Sequence, residues 1–326
     1  MHIILNSYGT SLQRQGERFV IYTQDGKDFL AANKVRTISV SKGARVSSDA
    51  VLLAIQYEID LLFMDGKGMP QGRVWSVRYG SISTIRKNQL EFIYSRRSLD
   101  WTKQLIRYKM DMQIALLLTL EPPVEEAGRT IQRAINALED HRRKVAKVEG
   151  EIVADAAPAL RGWEGAASRR YFQSISACLP ASYRFERRSQ HPATDRFNAL
   201  LNYGYGMLYG KVEGALIKAG IDPYVGVFHR DDYNRPVLVY DVIERYRSWI
   251  DYVVIELCRQ EAFPDDCFVE RNGGIWLEGL GKRILIQSVN DYLAEVVELN
   301  RVSRSRQAHI QRDAHQLANF FQKITK

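Results

Sequence analysis

Short apolar runs separated by Gly-containing turns fill roughly the first 85 residues. The segments "ERFVIYTQDG" and "KVRTISVSKG" mix β-branched and aromatic residues as short strands do. In "SSDAVLLAIQYE" the period changes: apolar residues recur at helical spacing behind Ser47 or Ser48, either of which suits a helix cap. The apolar strand "IDLLFMD" and the turn "GKG" follow. The pattern predicts a strand-rich unit holding one short helix.

Near residue 90 the period becomes helical and stays so. "LDWTKQLIRYKMDMQIALLLTL" places apolar groups three and four apart without an internal Gly or Pro, and Pro122-Pro123 ends it. "VEEAGRTIQRAINALEDHRRKVAKVEG" is a second, strongly charged helix, and helices dominate to Lys326, with loops near 180–195, 222–237 and 262–281. The expected fold class is therefore α+β with two domains. A small β-rich N-terminal domain covers residues 1–88, and a larger all-α domain covers 89–326.

Composition narrows the partners. The 326 residues carry 46 Lys and Arg against 38 Asp and Glu, a net charge of +8, which favours an anionic partner such as nucleic acid or a membrane surface. No stretch reaches about 18 uncharged apolar residues, so no membrane span is expected. The opening "MHIILNSYGTSL" lacks a basic stretch leading into a long apolar one, so no signal peptide is expected. Cys178, Cys258 and Cys267 form no CxxC pair and are odd in number. That argues against a disulfide framework and a thiolate zinc site, and fits a reducing cytoplasm.

Two motifs imitate chemistry. "GYGMLYG" looks like a dinucleotide fingerprint, but it lies inside a helix-periodic segment instead of between a strand and a helix. Gly206, Gly210 and Gly214 recur every fourth residue and predict close approach of a neighbouring helix. "HIQRDAH" sets His309 and Asp313 four apart on a helix, a spacing that chance supplies often, and "NRVSRSRQ" reads as a basic helix surface.

The stretch "FHRDDYNRPVLVYDVIERYR" gathers His229 and four acidic groups among four arginines. Asp241 opens the predicted helix "DVIERYRSWIDYVVIELC", with Val242, Tyr246, Trp249, Ile250, Val253 and Val254 as its apolar stripe. Asp241, Glu244, Arg245 and Ser248 share an edge of that helix, so two carboxylates can point at one cation; a carboxylate pair also complements a helix dipole. The turn after His229 can return it to Asp241. In "RGWEGAASRRYF", Glu164 sits near a helix start and Arg169 and Arg170 follow. Taken singly, each piece also fits a solvated surface.

The ordered set "GWEGAASRRYF", "RFERRSQHPATDRFNALLNYGYGMLYG", His229 and "VYDVIE" resembles the CRISPR-associated adaptation integrases, the Cas-one family. "NSYGTSLQRQGERFVIY" and "VSSDAVLLAIQYEIDLLFMDGKG" resemble that family's β-rich domain, so the resemblance spans nearly the whole chain. It implies a metal-dependent DNA endonuclease and integrase that joins 3′-hydroxyl ends of spacer DNA into a CRISPR repeat by transesterification. By that resemblance Glu164, His229 and Asp241 are ligands of Mg²⁺ or Mn²⁺, Glu244 is a nearby acidic group, and Asn198 and Tyr240 lie around the site. Asp231 and Asp232 depart from the pattern by making the loop more acidic.

A hard divalent ion stabilises charge on phosphate oxygens and aligns nucleophile with leaving group, and a histidine ligand makes the set friendlier to Mn²⁺. Arg169, Arg170, Arg184, Arg187, Arg188, Arg245 and Arg247 surround the motifs, and arginine is suited to bidentate phosphate contacts. Arg169, Arg170, Arg187, Arg188 and Arg245 are the DNA-binding candidates. The implied partners are double-stranded DNA, a second copy of the chain through the β-rich domain, and the Cas-two protein. A casposase-like transposon integrase, an idle DNA-binding scaffold and an RNA-binding helical protein are the alternatives.

Overall fold

The computed structural model describes residues 1–24, 26–35, 37–64, 70–74, 83–229 and 235–324. The chain divides into two units, Met1–Gly80 and Ser81–Lys326.

The N-terminal unit holds two four-stranded sheets. One is built from β1 (His2–Leu5), β5 (Thr37–Ser41), β7 (Asp60–Met64) and β8 (Pro70–Arg73), in that order; its first three strands are parallel and β8 is antiparallel. The other runs β4 (Gly26–Ala31), β3 (Arg18–Thr23), β2 (Ser11–Gln15) and β6 (Arg45–Val46). Helix α1 (Ser48–Gln56) is capped by Ser47, whose hydroxyl accepts from the Ala50 N–H at 3.2 Å. Leu12, Phe19, Ile38, Leu53 and Leu61 are fully buried in its core.

Ten-residue and longer helices make up most of the second unit. They are α2 (Ser83–Ile93), α3 (Arg96–Thr119), α4 (Glu125–Lys147), α5 (Val153–Cys178), α6 (Arg196–Lys218), α8 (Arg247–Arg259), α9 (Gly279–Ala294) and α10 (Arg306–Gln322), joined by the short α7 (Val237–Ile243). Helix α2 spans the expected 88/89 boundary and belongs wholly to this unit. The Asn88 amide donates to the Phe321 carbonyl at 2.6 Å and Gln89 to the Asp222 carbonyl at 2.7 Å. Helices α3, α4 and α5 pack as neighbours, and α6 packs on α8 and α10. Phe92, Tyr171, Phe197, Leu208, Ile250 and Phe321 anchor the core, each fully buried apolar side chain contributing roughly 1.5–3 kcal/mol.

Several expectations change. The α+β class stands, a β-rich unit followed by a mostly helical one, but the helical unit is not purely α. Among the described residues it carries two hairpins, β9 (Phe268–Arg271) with β10 (Gly274–Leu277) and β11 (Val296–Leu299) with β12 (Val302–Ser305). Each turns through two residues at positive φ, Asn272-Gly273 and Asn300-Arg301, as two-residue hairpin loops require. The first hairpin replaces part of the expected 262–281 loop. The second occupies most of "NRVSRSRQ", which is therefore helix surface only from Arg306. Glu164 lies in the middle of α5, not near a helix start; Pro158 and Gly162 hide the earlier turns from a propensity reading. The helix expected from Asp241 onward is broken, because α7 ends at Ile243 and α8 begins at Arg247. Its apolar stripe is nonetheless buried as expected.

Close helix approach is at Gly204, where a Cβ would meet Ile250 Cγ2 at 2.6 Å, whereas a Cβ at Gly206 or Gly210 would meet nothing. His309 and Asp313 form no pair: the His309 ring faces the Val297 carbonyl at 3.1 Å, and Asp313 accepts from the Tyr246 hydroxyl at 2.8 Å.

Candidate functional site

Several segments of the second unit meet around a cavity of about 370 Å³, among them the loop carrying Arg187 and Arg188 and helix α6 through Tyr205. Helix α5 supplies Glu164 and Arg169, and α3 supplies Lys109. The loop ahead of α7 supplies His229. The turn between α7 and α8 supplies Glu244, followed by Arg247, Ser248 and Asp251 from α8. Breaking the helix at residues 244–246 is what turns Glu244 and Arg247 toward one space.

Asp241 does not line this cavity. It is fully buried, and both carboxylate oxygens are committed to the loop that carries His229. Oδ2 accepts from the Val227 N–H at 2.7 Å and the Phe228 N–H at 3.2 Å. Oδ1 accepts from the His229 N–H at 2.9 Å and lies 2.7 Å from His229 Nδ1. A carboxylate has about four lone-pair positions, and these contacts use them. Because both Asp241 oxygens already accept backbone N–H groups, the ring meets Oδ1 as a donor from Nδ1, and Nε2 keeps its lone pair for a cation. Asp241 therefore orients the histidine, and the residue one turn on, Glu244, is the carboxylate that reaches the cavity. Burial alone would push the His229 imidazole down in pKa, but the Asp241 hydrogen bond and charge, with Glu244 and Glu164 beyond, hold it above its ordinary value.

Arg161 fixes the other side of the same loop. Its guanidinium donates to the Phe228 carbonyl at 2.6 Å and lies over the Phe228 ring, 5.4 Å from the centroid.

Between the two glutamates lies Lys109, its side chain 9% exposed. Nζ donates to Glu164 Oε1 and sits 2.6 Å from Glu244 Oε2, while Arg247 Nε lies 3.0 Å from Glu244 Oε1. Burial opposes the charge on Glu244, but Arg247 and Lys109 outweigh it and hold its carboxyl well below the usual range. Lys109 responds in kind: burial disfavours its ammonium, and Glu244 and Glu164 more than compensate, raising its pKa.

Among the described residues no three His, Cys, Asp or Glu side chains converge as they stand on one ion position. Two observations still fit a divalent cation. Glu244 Oε2 is buried without a well-formed hydrogen bond, and a positive nitrogen already stands between the two carboxylates. Glu164, Glu244 and His229 Nε2 form a mixed oxygen–nitrogen donor set of the kind Mn²⁺ and Mg²⁺ accept.

The remaining expected residues separate into groups. Arg169 and Arg187 are exposed and line the cavity. Arg170 is exposed beside a second hollow formed with Ala137, His141 and Gln173. Arg188 also lines the cavity, yet its guanidinium is spent inside the protein: it donates to Asn198 Oδ1 and, at 2.9 Å, to Asn202 Oδ1, and it lies over the rings of Phe172 and Tyr205. Arg245 turns away, 3.5 Å from Asp313 and over the Tyr108 ring. Asn198 is fully buried, and besides accepting from Arg188 it donates to the Arg187 carbonyl at 3.0 Å. It clamps the arginine-rich loop and does not line the cavity. Tyr240 stands beside the site, its ring centroid 6.2 Å from that of His229. Asp231 and Asp232 lie outside the described residues.

Sequence reasoning missed Lys109, Arg161 and Asp251. Lys109 had a signal: it falls on the apolar face of α3, in line with Leu105, Ile106, Gln113 and Leu116, where a lysine needs an acidic partner. Asp251 sits likewise on the buried face of α8 and accepts from the Tyr171 hydroxyl at 2.7 Å and from Tyr205.

Carboxylates and an imidazole backed by arginines on one cavity wall define a class of enzyme, those that cut or join phosphodiesters. The family model described as CRISPR associated protein Cas1 matches residues 3–291, and the chain belongs to that family. It is 30% identical over 310 residues to the CRISPR-associated endonuclease Cas1 1 of Archaeoglobus fulgidus, covering 90% of this chain and 88% of that one. Among solved structures, a Cas1 protein from Thermotoga maritima superposes with a TM-score of 0.80 at 19% identity, covering 98% of this chain and 96% of that one. A casposase bound to its integration product gives 0.81 at 19% identity, over 98% and 90% of the two chains. A Cas6-RT-Cas1–Cas2 complex gives 0.79 at 19% identity over 98% of this chain and 35% of that one. At such identities these structures share the fold. No helix among the described residues is long and apolar enough to cross a membrane.

Proposed function

We propose that this endonuclease-family chain works as the CRISPR adaptation integrase. The 3′-hydroxyl of spacer DNA attacks a phosphodiester of the repeat, the new P–O bond replaces the bond to the repeat strand's own 3′-oxygen, and that oxygen leaves as a 3′-hydroxyl. Glu164, Glu244 and His229 Nε2 are the ligands of its divalent ion, and Asp241 and Arg161 are positioning residues that act through His229. The carrying observation is that Asp241 is fully buried and fully hydrogen-bonded to residues 227–229, while Glu244 lines the cavity with Glu164 and His229. When bound, the ion supplies positive charge for the phosphate oxygens and lowers the cost of deprotonating a hydroxyl. The imidazole makes Mn²⁺ the better fit and Mg²⁺ the second.

The chain's own groups do the rest. Arg169 and Arg187 grip the phosphate backbone at the cavity rim, and Arg170 extends the same basic surface toward the second hollow. Arg247 neutralises Glu244 from behind and keeps it ionised.

Double-stranded DNA and Cas2 are the proposed partners, supported by the resemblance to a chain of a Cas1–Cas2 complex. The β-rich unit is the proposed dimer surface, supported by exposed Ile4, Tyr8, Phe29 and Phe63. A cytoplasmic location accompanies this reading.

Strand transfer of a labelled duplex with free 3′-hydroxyls into a supercoiled plasmid tests the function, with Mn²⁺ and with Cas2 added in parallel. Joined product is expected for the wild type, lost with EDTA and in His229→Ala. Salt-sensitive DNA binding with no joined product, even with Cas2, would instead favour the idle scaffold.

A further inference from the structure

We propose that Lys109 is a built-in counter-cation of the site: its ammonium holds Glu164 and Glu244 together until a divalent ion takes that place, and so sets how tightly the ion binds. The inference rests on Glu164, His229 and Glu244 being the ligands.

Geometry leaves Lys109 little choice of partner. Its backbone is fixed on the core face of α3 between buried Ile106, Met110 and Gln113, and its side chain is 9% exposed. Nζ reaches both glutamates at once, at the point where their carboxylates approach each other. Without it the pair would face each other with Arg247, itself paired to the far oxygen of Glu244, and the His229 ring as the neighbouring cationic groups. Like charges at that range in a buried site repel strongly, so the metal-free protein needs the ammonium.

The same ammonium opposes the ion. A divalent cation between Glu164 and Glu244 would share the space with Nζ, and the two positive charges would repel. The cavity beside Lys109, also bordered by Met112, Gln113 and Ser168, offers room for the four-carbon stem to swing aside. Part of the ion's binding energy is spent on that exchange, so affinity is held below what the donor set alone would give. A purely structural ion pair makes a different prediction, because its loss would leave ion affinity unchanged.

Mn²⁺ titration of the full-length protein, followed by the EPR signal of free Mn²⁺, separates these cases, with melting temperatures measured in EDTA and in saturating Mn²⁺. Lys109→Met should bind Mn²⁺ roughly tenfold or more tighter, since a like charge at the site is removed. It should melt below the wild type in EDTA and recover most of that loss in Mn²⁺. Lys109→Arg keeps the charge on a planar fork that can pair with both carboxylates, so it should fold normally and bind Mn²⁺ more weakly. Wild-type affinity in Lys109→Met, with a melting deficit that Mn²⁺ does not repair, would overturn the proposal. If Lys109→Met does not fold, Lys109→Arg decides, and affinity equal to or tighter than wild type overturns it. Glu244→Gln is the control for the ligand set. Wild-type Mn²⁺ binding that survives this change would overturn the ligand assignment, and the role of Lys109 with it.

Discussion

His229 Nδ1 lies 2.7 Å from Oδ1 of Asp241, a carboxylate that is itself fully buried and accepts the backbone N–H groups of Val227, Phe228 and His229. One side chain thus sets both the path of the loop and the tautomer of the ring. Asp241→Asn cannot do both. If its NH₂ faces Nδ1, the ring takes the Nε2–H tautomer and loses its free lone pair; if its NH₂ faces the other way, it opposes two N–H donors. Asp241→Asn should weaken Mn²⁺ binding by about 10- to 100-fold, the usual cost of losing a partner behind a metal ligand. It should also cost about 1–3 kcal/mol of stability. Glu244→Gln removes a charged ligand and should abolish measurable Mn²⁺ binding. The opposite ranking in a metal titration would return Asp241 to the ligand set.

The arginines divide by what their donors already hold. Arg169 and Arg187 are exposed at the cavity, so replacing either with Ala should remove one phosphate contact. The slope of log K against log salt should fall by about 1, with little change in melting temperature. Arg188→Ala and Asn198→Ala should behave differently, because those two side chains brace each other and the loop around Arg187. Each should cost about 1–3 kcal/mol in thermal or denaturant unfolding, through buried groups left unpaired. A pure salt-slope effect in Arg188→Ala would identify it as a phosphate contact.

Helix α6 offers a test of packing that needs no ligand. A methyl group at Gly204 would come within 2.6 Å of Ile250 Cγ2, so Gly204→Ala should destabilise by about 1–3 kcal/mol. Gly206 and Gly210 face open space, and Ala there should stabilise by up to about 1 kcal/mol through helix propensity. Unfolding midpoints of the three variants check this, and equal costs would mean that all three glycines face a neighbouring helix.

Much of this architecture was legible because it follows local rules. Ser47 as a cap, the strands at Arg18–Thr23 and Asp60–Met64, and the long helices α3 and α4 all sit where periodicity and turn residues put them. The β11–β12 hairpin was not legible, since one of its two left-handed turn residues is Arg301 and not a glycine. Carboxylate spacing could show that Asp241 and Glu244 share a helix edge. It could not show that α7 stops at Ile243, and that break is what sends one carboxylate into the core and the other into the cavity. Lys109 and Asp251 reach the site from helices whose apolar stripes read as core. Which buried polar group meets which depends on tertiary packing.

Asp251 gives the pH dependence. It is 2% exposed, and burial pushes its carboxyl from the usual 3.8 up to about 6, although Tyr205, Tyr171, Arg247 and Arg188 all favour its charged form. A raised carboxyl pKa means that the folded state holds its proton while the unfolded chain releases it. The stabilisation is therefore complete below about pH 3.8 and is lost as the pH rises through about 6. The rise from 3.8 to about 6 corresponds to roughly 3 kcal/mol between those limits. Asp251→Asn carries no charge at any of these pH values, and its amide can accept from one tyrosine hydroxyl and donate to the other. Denaturant unfolding of both proteins at pH 4, 5, 6 and 7 isolates this group, because every other titrating residue is common to the pair. Wild type should lose ground to Asp251→Asn as the pH rises across that range, by up to about 3 kcal/mol. A difference that stays constant with pH would mean that the two tyrosines and two arginines hold Asp251 ionised throughout, as a permanent anion behind the cavity wall.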